Sequence, residues 1–141
     1  MFKHILIAFD GSEYARKALT VAIDLAKIQK AELSLISVEE HLPSIPADVG
    51  EVREEKELEN GLFKKLQREA KKTAQNGGVT IKRADILVGH VSKSILDYAK
   101  AVNCDLIVMG HSGRSGAWTS FLGTTADKVS HHAHCSVLIV R

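Results

Sequence analysis

Hydrophobic and polar positions along this chain switch repeatedly between a strand-like and a helix-like pattern. His4, Ile5, Leu6, Ile7, Ala8 and Phe9 form a nearly continuous apolar run, the mark of a strand covered on both faces. Asp10-Gly11-Ser12 ends it, and Ser12 is suited to cap a helix. Ala15, Ala18, Leu19, Ala22, Leu25 and Ala26 then recur at helical spacing, with side chains small enough to lie close to a sheet. Residues 32–38, carrying Leu33, Leu35, Ile36 and Val38, predict a second strand. Residues 39–50 hold Pro43 and Pro46 and read as a surface connection. Over residues 51–75, Leu58, Leu62, Leu66, Ala70 and Thr73 predict the buried face of a long amphipathic helix, which Asn76-Gly77-Gly78 stops. Residues 79–88 predict strand three, and Val91, Ile95, Tyr98 or Ala99, and Val102 the stripe of the next helix. Residues 106–109 predict strand four, 126–132 a last helix and 137–140 strand five.

Strands that alternate with helices imply an α/β domain with a parallel sheet and right-handed crossovers. In such sheets ligands sit beyond the carboxyl ends of the strands, where the strand order reverses. Periodicity does not give that order. If strands one and four are neighbours, Asp10 faces the loop after strand four across the crevice.

That loop is where the candidate chemistry concentrates. Leu106-Ile107-Val108-Met109 runs into Gly110, Gly113 and Gly116, set among His111, Ser112, Arg114 and Ser115, and Gly123-Thr124-Thr125 opens the last helix. A strand, a glycine-rich turn and a helix start are the parts of a phosphate cradle. Glycine lets amides approach an anion, and the helix start adds unpaired donors. The alternative is that the glycines only permit tight turns.

Composition excludes more than it assigns. The chain has 141 residues, enough for one domain with a proper core, and we read 1–141 as a single domain. A formal net charge of +2 is too small to point to nucleic acid. No apolar run approaches a membrane span, and Asp10 interrupts the first run too early for a signal peptide, so a cytoplasmic location is expected. In residues 51–75 an acidic first half and a basic second half complement the helix dipole, which favours a solvated face over a binding patch.

The spacing Gly110-x-x-Gly113, nine residues, then Gly123-Thr124 resembles the nucleotide-binding pattern of the universal stress protein family. So do the opening Ile5-Leu6-Ile7-Ala8-Phe9-Asp10-Gly11-Ser12, the run Asp105 to Gly110, and the last strand, so the likeness covers the whole chain. The resemblance implies a Rossmann-like three-layer sandwich around a five-stranded parallel sheet of order 3-2-1-4-5, which makes strands one and four neighbours. It also implies the ATP-binding branch, with ATP and Mg²⁺ as ligands. Carried over by position, Asp10 contacts the nucleoside, the Val38 backbone meets adenine, and Ala8 and Met109 line its pocket. Gly110 lies by the ribose, while Ser112, Gly113, Arg114, Gly123, Thr124 and Thr125 surround the phosphates. The loop departs from the family at His111-Ser112, where the second position usually carries a longer side chain. A homodimer through Val137, Leu138, Ile139 and Val140 of the last strand is also implied.

Three side chains have bland alternatives. Asp10 could simply cap the first helix, Arg114 could be a solvated loop charge, and Thr124 could only start its helix. His131-His132-Ala133-His134-Cys135 offers metal-ligand types, but consecutive residues rarely point at one centre and no second ligand group is recognisable, so no metal site is expected. The 3-2-1-4-5 order places Cys104 and Cys135 before neighbouring strands and hence near each other, both reduced and unnecessary for ATP binding.

No Walker A lysine, pyrophosphatase loop or kinase signature is present, so no residue is assigned as catalytic. The leading expectation is an ATP-binding stress-response regulator. Slow ATP hydrolysis, autophosphorylation on Ser112, Ser115, Thr124 or Thr125, and a nucleotide-free dimeric adaptor are the alternatives.

Overall fold

The computed structural model describes residues 1–40, 49–113 and 121–141. In chain order these form β1 (His4–Ala8), α1 (Glu13–Gln29), β2 (Glu32–Glu40), α2 (Val49–Asn76), β3 (Ile81–Gly89), α3 (Val91–Ala101), β4 (Leu106–Gly110), α4 (Thr124–His132) and β5 (Ser136–Val140). The strands make one parallel sheet of order β3-β2-β1-β4-β5, as the resemblance implied. The connection postponed by sequence, β1 beside β4, pairs Ile5 with Leu106 and Ile7 with Val108.

Two apolar layers enclose the sheet. On one face Ile5, Ile7, Leu33, Leu35 and Val108 pack under Ala15, Ala18, Ala22 and Ala26 of α1 and Phe63, Ala70 and Ala74 of α2. On the other, Leu6, Ile36, Ile107 and Met109 pack under Ile95 and Ala99 of α3 and Ala126 and Val129 of α4. Ile5, Leu6 and Ile7 are therefore wholly buried, which is why β1 reads as a continuous apolar run instead of an alternating one. The alanines of α1 let that helix settle closely onto the sheet. Its buried face includes Ile23, which the sequence reading omits, and leaves Leu25 half-exposed.

The long helix corrects the sequence reading. Leu58 is 75% exposed and Leu62 40%, and Thr73 is exposed, donating its hydroxyl back to the Glu69 carbonyl. The buried face is Phe63, Leu66, Gln67, Ala70 and Ala74. Strict i+4 spacing advances about 40° around a helix at every step, so Leu58-Leu62-Leu66-Ala70 spirals off the sheet-facing side. The observed set mixes spacings of three and four residues (Phe63 to Leu66 and Gln67, then Ala70 and Ala74) and stays on that side.

Buried Gln67 has a polar task. Its Nε2 donates to the Ser37 hydroxyl (3.1 Å) and the Asp85 carbonyl (2.8 Å), while Ser37 donates to the Phe9 carbonyl (2.7 Å). The helix is thereby tied to the end of β1 and to the interiors of β2 and β3. Strand boundaries differ slightly from expectation: β2 continues to Glu40, and β3 starts at Ile81, with a register shift at Lys82 between the partners of Leu33 and Ser34.

This reassignment of the α2 face is testable by urea denaturation. Phe63→Ala should cost about 3–5 kcal/mol, as a buried aromatic truncation does. Leu58→Ala should stay within about 0.5 kcal/mol of wild type, as surface changes do. Equal losses at both positions would return Leu58 to the core.

Candidate functional site

The carboxyl ends of β1 and β4 diverge where the strand order reverses, and a cavity of about 610 Å³ opens there. Its lining includes Ala8, Asp10, Val38, Met109, Gly110, Ser112, Gly113, Gly123, Thr124 and Thr125. Every candidate residue named from sequence is thus in one wall, apart from Arg114, which lies outside the described residues together with the rest of 114–120. The surface connection around Pro43 and Pro46 also falls outside them, at 41–48.

Helices that return antiparallel to the strands must begin at this end of the sheet. The starts of α1, α3 and α4, at Ser12, His90 and Gly123, all contribute to the wall. Ser12 caps its own helix, its hydroxyl accepting the Ala15 amide (3.3 Å). Neither His90 nor Gly123 makes a side-chain cap bond, so the first amides of α3 and α4 are left to solvent or ligand. Asp10 is not the cap of α1; its Oδ1 accepts the Ser12 amide (2.9 Å) and so shapes the turn. Its Oδ2 lies 3.0 Å from where a Cβ on Gly113 would stand.

The glycines divide by role. Gly110 is closed in by the start of α1: a Cβ there would come within 2.8 Å of the Tyr14 carbonyl carbon. Gly123 is tight against Ser112 and the His111 carbonyl, which accepts its amide at 2.9 Å. Gly113 needs no left-handed backbone, contrary to the conformational constraint a turn glycine invites; its smallness preserves the space beside Asp10.

His111 does not take the cavity position that the departure from the family pattern left open. It is buried, its ring packs on Tyr14 at 5.7 Å, and its amide donates to the Val140 carbonyl. Its Nδ1 has no hydrogen-bond partner among the described residues. Ser112, also buried, is the member of that pair that reaches the cavity.

Several wall residues escaped the sequence reading. α2 begins beyond the sheet's carboxyl end, so Glu59 and Phe63 flank the cavity, and Glu40 comes from the extension of β2. Val91 and Ser92 come with the start of α3, and Lys128 from the second turn of α4. The helical period of α4 could have found Lys128, one turn after Thr124 and Thr125. Nothing local marks Glu40 or Glu59.

The charges matter chemically. Asp10, Glu40 and Glu59 face the cavity along with Lys128, so a bare polyanion would meet carboxylates as well as helix starts. A nucleotide carrying a divalent cation suits that donor set better, with carboxylate oxygen a proper ligand for Mg²⁺.

The Universal stress protein family model matches residues 1–141. The chain belongs to that family. Universal stress protein YxiE of Bacillus subtilis is 37% identical over 154 residues, with all of both chains covered. Among solved structures, universal stress protein UspA from Lactobacillus plantarum superposes with a TM-score of 0.87 at 28% identity, covering 99% of this chain and 97% of its own. A universal stress protein in complex with cAMP superposes at 0.76 with 26% identity, over 99% and 97% of the two chains.

The division of glycine roles in this universal stress protein gives a paired stability test. Gly110→Ala should destabilise by about 1–3 kcal/mol, because α1 must back away from β4. Gly61→Ala, mid-helix with open space around it, should stabilise by about 0.5–1 kcal/mol. Chemical denaturation reads both. A neutral Gly110→Ala would mean that α1 moves freely on β4.

Proposed function

We propose that this universal stress protein binds ATP with Mg²⁺ in the cavity between β1 and β4, and acts as a nucleotide-dependent regulator in the form of a homodimer. The observation that carries the reading is the convergence of Asp10, Ser112, Gly113, Gly123, Thr124 and Thr125 on one cavity with uncapped helix starts. A solved relative bound to cAMP supports an adenine nucleotide in the same family fold. The size of the cavity suits a small-molecule site.

In this reading Ala8, Val38 and Met109 form the apolar adenine side of the pocket. Ser112, Gly113, Gly123, Thr124 and Thr125 are the phosphate side, with Arg114 as a further donor. Gly110 stays by the ribose, held small by α1. Asp10 holds Mg²⁺ through water, and the cation would neutralise phosphate charge that the carboxylates otherwise oppose. No described side chain is assigned a catalytic step, so occupancy of the pocket is the signal.

The dimer proposal rests on the contrast between the two sheet edges. β3 carries exposed Lys82 and Arg83, charges that discourage edge-to-edge pairing. β5 offers Val137, Leu138, Ile139 and Val140, each half-exposed and without a charge along the strand. A second copy would cover that edge with the same residues across a two-fold axis.

Calorimetry with ATP and Mg²⁺, alongside ADP, AMP and cAMP, tests the ligand. Gly113→Val should abolish binding, since a branched side chain would crowd Asp10 Oδ2. Thr124→Ala should weaken it by about 3- to 13-fold, the equivalent of about 0.5–1.5 kcal/mol for one hydrogen bond. Thermal melts of the ligand-free variants should match wild type. Unchanged affinity in folded Gly113→Val would remove the loop from the site.

Light scattering separates the assembly question from the ligand. A mass of twice the 15.4 kDa chain is expected at micromolar concentration. A stable monomer would overturn the β5 interface without touching the pocket.

A further inference from the structure

We propose that Cys104, His134 and Cys135 form a second site, at the opposite end of the sheet, that binds a thiophilic d¹⁰ metal ion, Zn²⁺ in the first instance. The sequence argument against a metal is that consecutive residues rarely point at one centre and that no second ligand group accompanies the histidine cluster. The fold supplies one. Cys104 precedes β4 and His134-Cys135 precede β5, and these strands are neighbours, with Leu106 opposite Ser136. One ligand atom from each of the three side chains falls within 4.8 Å of the others.

The sulfur separation favours a shared ion over a covalent bond. The two Sγ atoms are 3.9 Å apart. Tetrahedral coordination with Zn–S bonds of about 2.3 Å requires a sulfur–sulfur distance of about 3.8 Å. A disulfide requires about 2.05 Å, a separation the two sulfurs do not have here. Both cysteines are free thiols here. Burial pushes the Cys104 thiol up to about 12, with its neighbour Cys135 adding to the effect, and burial likewise raises Cys135. Each sulfur would exchange its proton for a metal–sulfur bond, and two protons would leave to solvent.

The surroundings suit a cation. His134 is exposed and hydrogen-bonds the Cys104 carbonyl through Nε2 (3.1 Å), which holds the ring beside the pair. Asp105 brings negative charge next door but is not a ligand: its oxygens accept the amides of Lys3 and His4 at 2.9 and 3.0 Å. Water completes four-coordination, as in open zinc sites with three protein ligands. Unlike the exposed His131 and His132, which lie on the last turn of α4, His134 sits past the helix end and turns toward β4.

The test is a titration of the reduced, chelator-treated full chain with Co²⁺, whose thiolate complexes absorb in the near ultraviolet. The expected result is a sulfur-to-cobalt charge-transfer band saturating at one equivalent, bleached by Zn²⁺. His134→Asn and Cys135→Ser, both at sites with solvent access, should keep the wild-type circular dichroism. Each should lose more metal affinity than the ~10- to 100-fold typical of outer-shell partners, because a direct ligand is gone. Absence of the band from the reduced wild-type protein would overturn the proposal. So would a band unchanged in both variants. If the reduced chain ignores Co²⁺ and readily loses both thiols to oxidation, the pair is a disulfide couple and not a metal site.

Discussion

Everything in this fold hangs on β1 being paired on both sides and covered on both faces. Its backbone bonds β2 along one edge and β4 along the other, and Ile5, Leu6 and Ile7 touch no water. A strand so enclosed can carry almost no polar side chains, and every amide must find its partner within the sheet. His4 is the exception at its amino end, where the ring bridges the Val102 carbonyl and the Ser34 hydroxyl. Because successive connections leave β1 in opposite directions, the sheet parts at its carboxyl end there. The cavity is the geometric residue of that choice.

The same arrangement gives the molecule two chemically different ends. Helices returning antiparallel to the strands gather their positive dipole ends at the carboxyl side, with Ser12, His90 and Gly123 around one opening. At the amino side the chain emerges from helices into strands, and there Cys104 and Cys135 come together. The proposed nucleotide cavity and the proposed metal site are thus separated by the length of the sheet. Neither needs to disturb the core that lies between them.

Much of this was legible in the sequence, because the strands are local apolar runs and the helices carry apolar stripes, with Ser12 capping α1. The implied strand order places Cys104 near Cys135, in agreement with their 3.9 Å separation. What could not be read was whatever depends on rotation or on distant placement. The face of α2 differs from its apparent stripe because i+4 spacing drifts around a helix, leaving Leu58 exposed and Phe63 buried. Buried Gln67 gives no sequence signal, since its partners Ser37 and Asp85 belong to two other elements. Glu40 and Glu59 reach the cavity only because β2 and α2 overrun the sheet's end. His111 looked like a loop side chain and is instead packed on Tyr14.

The pairing of β1 with β4 also sets a schedule for folding. Lys3 and His4 donate their amides to Asp105, and the Asp105 amide returns to the His4 carbonyl, contacts that span about a hundred residues. Bringing such distant segments together costs loop-closure entropy before any contact rewards it. During synthesis β1, β2 and their helices can assemble early, while the β4-facing edge of β1 stays bare. That edge is among the most apolar in the chain. Until β4 arrives, an unpaired edge of β1 is open to mispairing.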